Sequence, residues 1–126
     1  GLLHALLDLG TYEQLAGHPL VGASFEGFAV QQVIKQLGAR DEECWFWGTH
    51  GGAELDLLVV RGDRKWGFEF KRSEAPRTTK SMHAAMKDLQ LEKIDVVHLG
   101  PDTYMLQEGI RALSVQRLQQ DLAPLA

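Results

Sequence analysis

Apolar positions along this chain change period twice. From Leu20 to Leu37 they recur at helical spacing, and the run stops at Gly38, a residue suited to ending a helix. Between Glu43 and Arg72 the spacing shortens. Glu43 to Thr49 is rich in aromatics and Ala53 to Val60 in β-formers; Lys65 to Arg72 alternates Trp66, Phe68 and Phe70 with Gly67, Glu69 and Lys71. His50-Gly51-Gly52 and Gly62-Asp63 separate these runs, which read as a meander of three strands. Helical spacing returns over 80–91 through Met82, Ala85, Met86 and Leu89. Ile94 to Leu99 reads as a short buried strand closed by Gly100-Pro101. Thr103–Gln107 and Ile110–Leu113 read as edge strands around Glu108-Gly109, and a last helix starts near Ser114. Ahead of the first long helix, 2–9 and 11–17 read as short helices, the second stopped before Pro19.

This order predicts an α/β (α+β) fold with a mixed central sheet and an αβββαβ core. The step from the third strand through the helix at 80–91 to Ile94–Leu99 is a parallel crossover, right-handed by rule. One domain over 1–126 accommodates it, with 1–19 as a helical lead-in, 20–100 as core and 101–126 as closing strands and helix.

Composition narrows the class. At 126 residues and 44% hydrophobic content the chain can bury a core of its own. A single cysteine, Cys44, excludes a disulfide framework and a thiolate-rich zinc site. No apolar run reaches the roughly 18 residues of a membrane span, and Leu2 to Leu9 lacks the basic leader of a secretion signal. The expectation is a cytoplasmic, membrane-free domain, and a start at Gly1 without an initiator Met reads as a piece of a longer chain. The net charge of −4 argues against broad nucleic-acid coating but leaves room for a local basic groove.

The chemistry lies in the hairpin. A two-residue turn at Gly62-Asp63 pairs Arg61 with Arg64, and counting back sets Asp56 opposite Glu69. Glu69 and Lys71, two apart, share that face with Asp56. Leu55, Leu57, Val59, Trp66, Phe68 and Phe70 take the other. Opposed carboxylates repel, so this register calls for a cation, either Lys71 or a divalent metal such as magnesium. Glu26 adds a third acid. On the first helix it falls on a stripe with Val30, Val33 and Leu37, flanked by Phe25, Ala29 and Ile34, where an unpaired carboxylate is costly. It is therefore expected to face the Asp56/Glu69 cluster.

Glu26 on a first helix, Asp56 on a strand and Glu69-Phe70-Lys71 on the next resemble the PD-(D/E)XK, or restriction-endonuclease-like, superfamily over roughly residues 20–100. A closer likeness spans nearly the whole chain. Gly1-Leu2-Leu3-His4-Ala5-Leu6-Leu7, His18-Pro19, Gly22 with Phe25-Glu26, Gly52-Ala53-Glu54-Leu55-Asp56 and Glu69-Phe70-Lys71-Arg72-Ser73 resemble the uncharacterised C-terminal domain of many prokaryotic AAA-type ATPases. The resemblance implies that Glu26, Asp56, Glu69 and Lys71 are catalytic, that Asp56 and Glu69 hold Mg2+ or Mn2+, and that Lys71 orients water or stabilises charge. It implies a phosphodiester hydrolase acting on nucleic acid, DNA before RNA, with its ATPase upstream; this chain carries no phosphate loop of its own. One departure stands out: Leu55 precedes Asp56, where the superfamily often has proline.

Other features carry less. Lys71, Arg72, Arg77 and Lys80 form the one basic stretch; Arg72, Arg77 and Lys80 are candidate phosphate contacts, against the plain reading of a solvated loop. His4, His18, His50, His83 and His98 show no ligand spacing, although His50 would overhang the site. Trp45 and Trp47 read as core residues rather than base-stacking platforms, and Cys44 as a small buried hydrophobe. Three functions follow in order: a metal-dependent nuclease domain, a catalytically silent nucleic-acid- or protein-binding domain regulating the ATPase, and a structural oligomerisation domain.

Overall fold

A computed structural model describes residues 21–126 of the protein, with side chains from Phe25 onward; the helices expected at 2–9 and 11–17 lie outside the described residues. Helix α1 spans Val21–Leu37, and the chain leaves it at Gly38, whose φ of +70° suits glycine. Strands β1 (Cys44–Gly48), β2 (Glu54–Arg61) and β3 (Arg64–Phe70) follow, then α2 (Lys80–Leu89) and β4 (Lys93–His98). β5 (Tyr104–Gln107), β6 (Ile110–Ser114), a 3-10 turn at Val115–Arg117 and the one-turn α3 (Leu118–Asp121) close the chain.

The six strands form one mixed sheet in the order β1-β2-β3-β4-β6-β5. β1, β2 and β3 are the antiparallel meander, and β3 pairs with β4 in parallel through α2, as the sequence predicts. β6 departs from expectation. It is an interior strand, parallel to β4, and of the two only β5 is an edge. Burial explains this: Ile110, Ala112, Leu113 and Ser114 are covered, whereas Tyr104 and Met105 of β5 are exposed. The final helix is a single turn, because the Ser114 hydroxyl accepts from the Gln116 N–H and tightens the chain into the 3-10 turn first. β3 ends at Phe70 rather than Arg72, although the Lys71 N–H still donates to the Val97 carbonyl.

Two cores sandwich the sheet. On one face Phe25, Ala29, Val33 and Leu37 of α1 pack on Leu57, Val59, Phe68, Phe70 and Val97. On the other, Met82 and Ala85 of α2 pack on Leu55, Leu58, Ile94 and Val96. Leu55 is thus on the opposite face from the one expected. Strict alternation breaks between Leu55 and Leu58, where β2 bulges against β1: Leu58 pairs with Trp45 but Leu55 with Trp47, and the extra residue turns Leu55 toward α2. Trp45 is a second correction. On the edge strand β1 it is 57% exposed, while Trp47 packs beside the α2 core. Polar side chains fix the periphery. Fully buried Asp95 is held by Arg111 at 2.8 and 3.2 Å, and Glu43 by Arg61 at 2.7 and 2.9 Å.

Phe68, fully buried at the centre of the sheet, joins α1 to the meander. Phe68→Ala should lose about 3–5 kcal/mol in urea unfolding, the usual cost of emptying a large core site. A loss under about 1 kcal/mol would contradict its place in the core.

Candidate active-site cleft

The site grows out of the β2–β3 turn. Gly62, with φ of +61°, supplies the left-handed step that lets Arg61 pair directly with Arg64. From there the register runs back to Leu57↔Phe68, which leaves Asp56, the next residue of β2, beside the end of β3. The Asp56 carboxylate then replaces a backbone partner. Its Oδ2 accepts from the Phe70 N–H at 2.9 Å, which pins the carboxylate against the end of β3.

Glu69 lies beside it, only 6% exposed, and its pKa is pushed up to about 8. Burial is the largest cause. A hydrogen bond with the Asp56 carboxyl and repulsion from it add to the rise, Glu54 adds a little, and Lys71 acts in the opposite direction. Glu69 is thereby held toward its protonated form near neutral pH.

The pair opens into a cleft of about 440 Å³ whose lining includes Glu26, Glu54, Lys71 and Arg72. The start of α2 forms a wall through Thr79 and Ser81. Thr79 caps the helix, accepting from the Met82 N–H at 3.3 Å, and Ser81 accepts from the Glu54 N–H at 3.4 Å. These bonds hold the helix start against the beginning of β2.

Glu26 reaches this cleft but not in the manner expected. The buried stripe of α1 is Phe25, Ala29, Val33 and Leu37, and Glu26, one residue out of phase, is exposed at the rim. Three carboxylates therefore do not converge. Among the described residues, no group of three His, Cys, Asp or Glu side chains is placed to hold a metal ion. What remains is a two-carboxylate donor set with solvent access, which suits an ion that keeps several waters. Lys71 is exposed just past β3 and near enough to Glu69 to act on its charge. Arg72 lines the cleft; Arg77 and Lys80 are exposed and lie outside its lining. Glu54 was not singled out from sequence, though its spacing of two from Asp56 was the available signal. His50 lines a neighbouring hollow rather than the cleft itself. His98 is structural: its Nδ1 accepts from the Gly100 N–H, so Nε2 carries the proton donated to the Asp102 carbonyl.

Two acids give stability opposite pH dependences. Glu69 binds its proton more tightly folded than unfolded, so its contribution is complete below about pH 4.5 and is lost as pH rises toward 8. The Arg61 hydrogen bonds lower Glu43 to about 2, so its contribution is present above about pH 4.5 and lost as pH falls toward 2. Chemical unfolding should show stability falling by a few kcal/mol between pH 5 and 8, and Glu69→Gln should flatten that limb. An unchanged slope in Glu69→Gln would contradict the raised pKa of Glu69.

Comparison with known proteins adds family without activity. Uncharacterized proteins of Mycobacterium bovis and Mycobacterium tuberculosis are each 36% identical over 118 residues, 94% of this chain. The chain spans only 26% of their length. No solved structure matches it. No helix among the described residues is long and apolar enough to cross a membrane. A family model described as "Domain of unknown function (DUF4143)" matches residues 21–118, which include every side chain of the cleft, and the chain belongs to that family.

Proposed function

We propose that this domain is a metal-dependent phosphodiester hydrolase of restriction-endonuclease-like fold, acting on nucleic acid, with DNA favoured over RNA. The observation that carries the reading is the buried Glu69 carboxyl set against Asp56 at the mouth of a solvent-open cleft with two cationic side chains on its rim. Apposed carboxyls are costly to a fold, and a buried acid near a specific charge partner in a cleft is a candidate functional site. The order α1, antiparallel meander, α2 and parallel β4 supports the same assignment.

Asp56 and Glu69 would hold Mg2+ or Mn2+. When bound, such an ion lowers the pKa of water and neutralises charge developing on the phosphate. The chain's own residues do the rest. Asp56 is oriented by the Phe70 N–H, Glu69 gives up its proton, and Lys71 and Arg72 attract the phosphate into the acidic cleft. Exposed Glu26 completes the rim as a candidate for positioning water. We further propose that the domain works in the cytoplasm, attached to an upstream AAA-type ATPase, since the curated relatives are far longer than this chain. A second reading, a silent nucleic-acid- or protein-binding module of that ATPase, is favoured by one observation: among the described residues no third carboxylate is placed to hold a metal ion with the pair.

Metal linkage separates the two. Mn2+, and at higher concentration Mg2+, should raise the melting temperature by binding only the folded state. Asp56→Asn is a better control than Asp56→Ala. It keeps an oxygen for the Phe70 N–H, whereas alanine strands that donor and offsets the stability gained from relieved repulsion. Asp56→Asn should abolish both the thermal shift and Mg2+-dependent cleavage of plasmid and single-stranded DNA. Equal shifts in wild type and Asp56→Asn, without cleavage by either, would leave the binding module.

A further inference from the structure

Beside the acid cleft lies a second hollow, of about 380 Å³, lined by Phe46, Gly48, Thr49, His50, Ala53 and the shared residues Gly52 and Glu54. Gly52 and Glu54 line both, so the two hollows are neighbours. Among the described residues Phe46 is the most exposed of the large apolar side chains, at 68%, and its ring lies close to Gly48. A Cβ added at Gly48 would come within 3.2 Å of its ring, so the absence of a side chain there lets the ring lie against the strand. The adjoining turn is stiff. The Thr49 N–H donates to the Ala53 carbonyl at 2.9 Å, and the Ala53 N–H donates back to the Thr49 hydroxyl at 3.2 Å.

An exposed aromatic face at a sheet edge, with an imidazole in the same hollow, does not suit a rigid duplex. Bases in a duplex stack on one another, and only an unstacked base offers its face to a protein ring. Resting on the hydrolase reading above, we propose that this hollow is a nucleobase subsite, with Phe46 as the stacking platform, and that the substrate is a single-stranded segment of nucleic acid. The strand's phosphates cross the cleft beside Lys71 and Arg72, and the base of the adjoining nucleotide rests on Phe46 with His50 at its edge. Charge supports a base here rather than a phosphate, because the shared wall carries Glu54 and the basic side chains lie in the lining of the other hollow.

The test uses the intact protein, with Phe46→Ala, Phe46→Trp, Gly48→Val and Asp56→Asn variants. Binding of a fluorescent single-stranded oligonucleotide and of a blunt duplex is measured by anisotropy in Ca2+, and cleavage of both in Mg2+ or Mn2+. Phe46 is exposed, so Phe46→Ala should melt close to wild type. It should weaken single-strand binding at least about fivefold, the lower end for losing one base–aromatic stack, and leave duplex binding unchanged. Phe46→Trp should retain binding, and Gly48→Val, which displaces the ring, should behave like Phe46→Ala. Equal single-strand affinity in wild type and Phe46→Ala overturns the subsite, whatever cleavage shows. Single-strand binding that depends on Phe46, without any metal-dependent cleavage, overturns the hydrolase reading and leaves the subsite standing.

Discussion

Everything distinctive in this domain depends on two carboxyls held against each other at the end of a hairpin. The Gly62-Asp63 turn fixes the register, the register brings Asp56 to the end of β3 beside Glu69, and the Phe70 N–H locks Asp56 in place. Repulsion at that point is tolerated because burial drives Glu69 to keep its proton, converting a like-charge clash into a hydrogen bond. The surrounding structure supplies the energy for this. Phe68 and Phe70 on one face of β3, and Gly67 under Leu55, Leu91 and Ile94 on the other, hold the strand between two cores.

The same arrangement explains why the cleft is where it is. β3 and β4 run parallel, so α2 must cross the sheet to connect them, and its start closes one wall through Thr79 and Ser81. Asp95 and Arg111 clamp β4 to β6 on the side away from the cleft. Charged groups with structural work are therefore tightly paired, whereas Lys71 and Arg72 stand exposed at the rim. This division of labour is what sets the cleft apart from the other hollows of the domain.

Much of this was legible in the sequence, for definable reasons. The hairpin register followed from a two-residue turn and flanking alternation, both local signals. The Glu26 stripe was misphased because α1 carries apolar residues at 25, 28, 29, 30, 33, 34 and 37, and a band that wide admits two phases sharing Val33 and Leu37. Leu55 lies on the opposite face because alternation cannot foresee a bulge, here the extra β2 residue between Leu55 and Leu58, which pair with Trp47 and Trp45. β6 was read as an edge because neighbours in a sheet are set by long-range pairing that a five-residue run does not encode. Trp45 looked like core because an aromatic-rich strand carries no mark of lying at an edge.

The raised pKa of Glu69 is the most direct point at which to test this account. With the Glu69 side-chain carboxyl labelled with carbon-13, its chemical shift can be followed through a pH titration of the metal-free protein. The account predicts a midpoint near 8, carried by a residue that Asp56→Asn perturbs strongly. A midpoint near the ordinary value of 4.5 would contradict it, because the two carboxyls would then be neither buried together nor bonded.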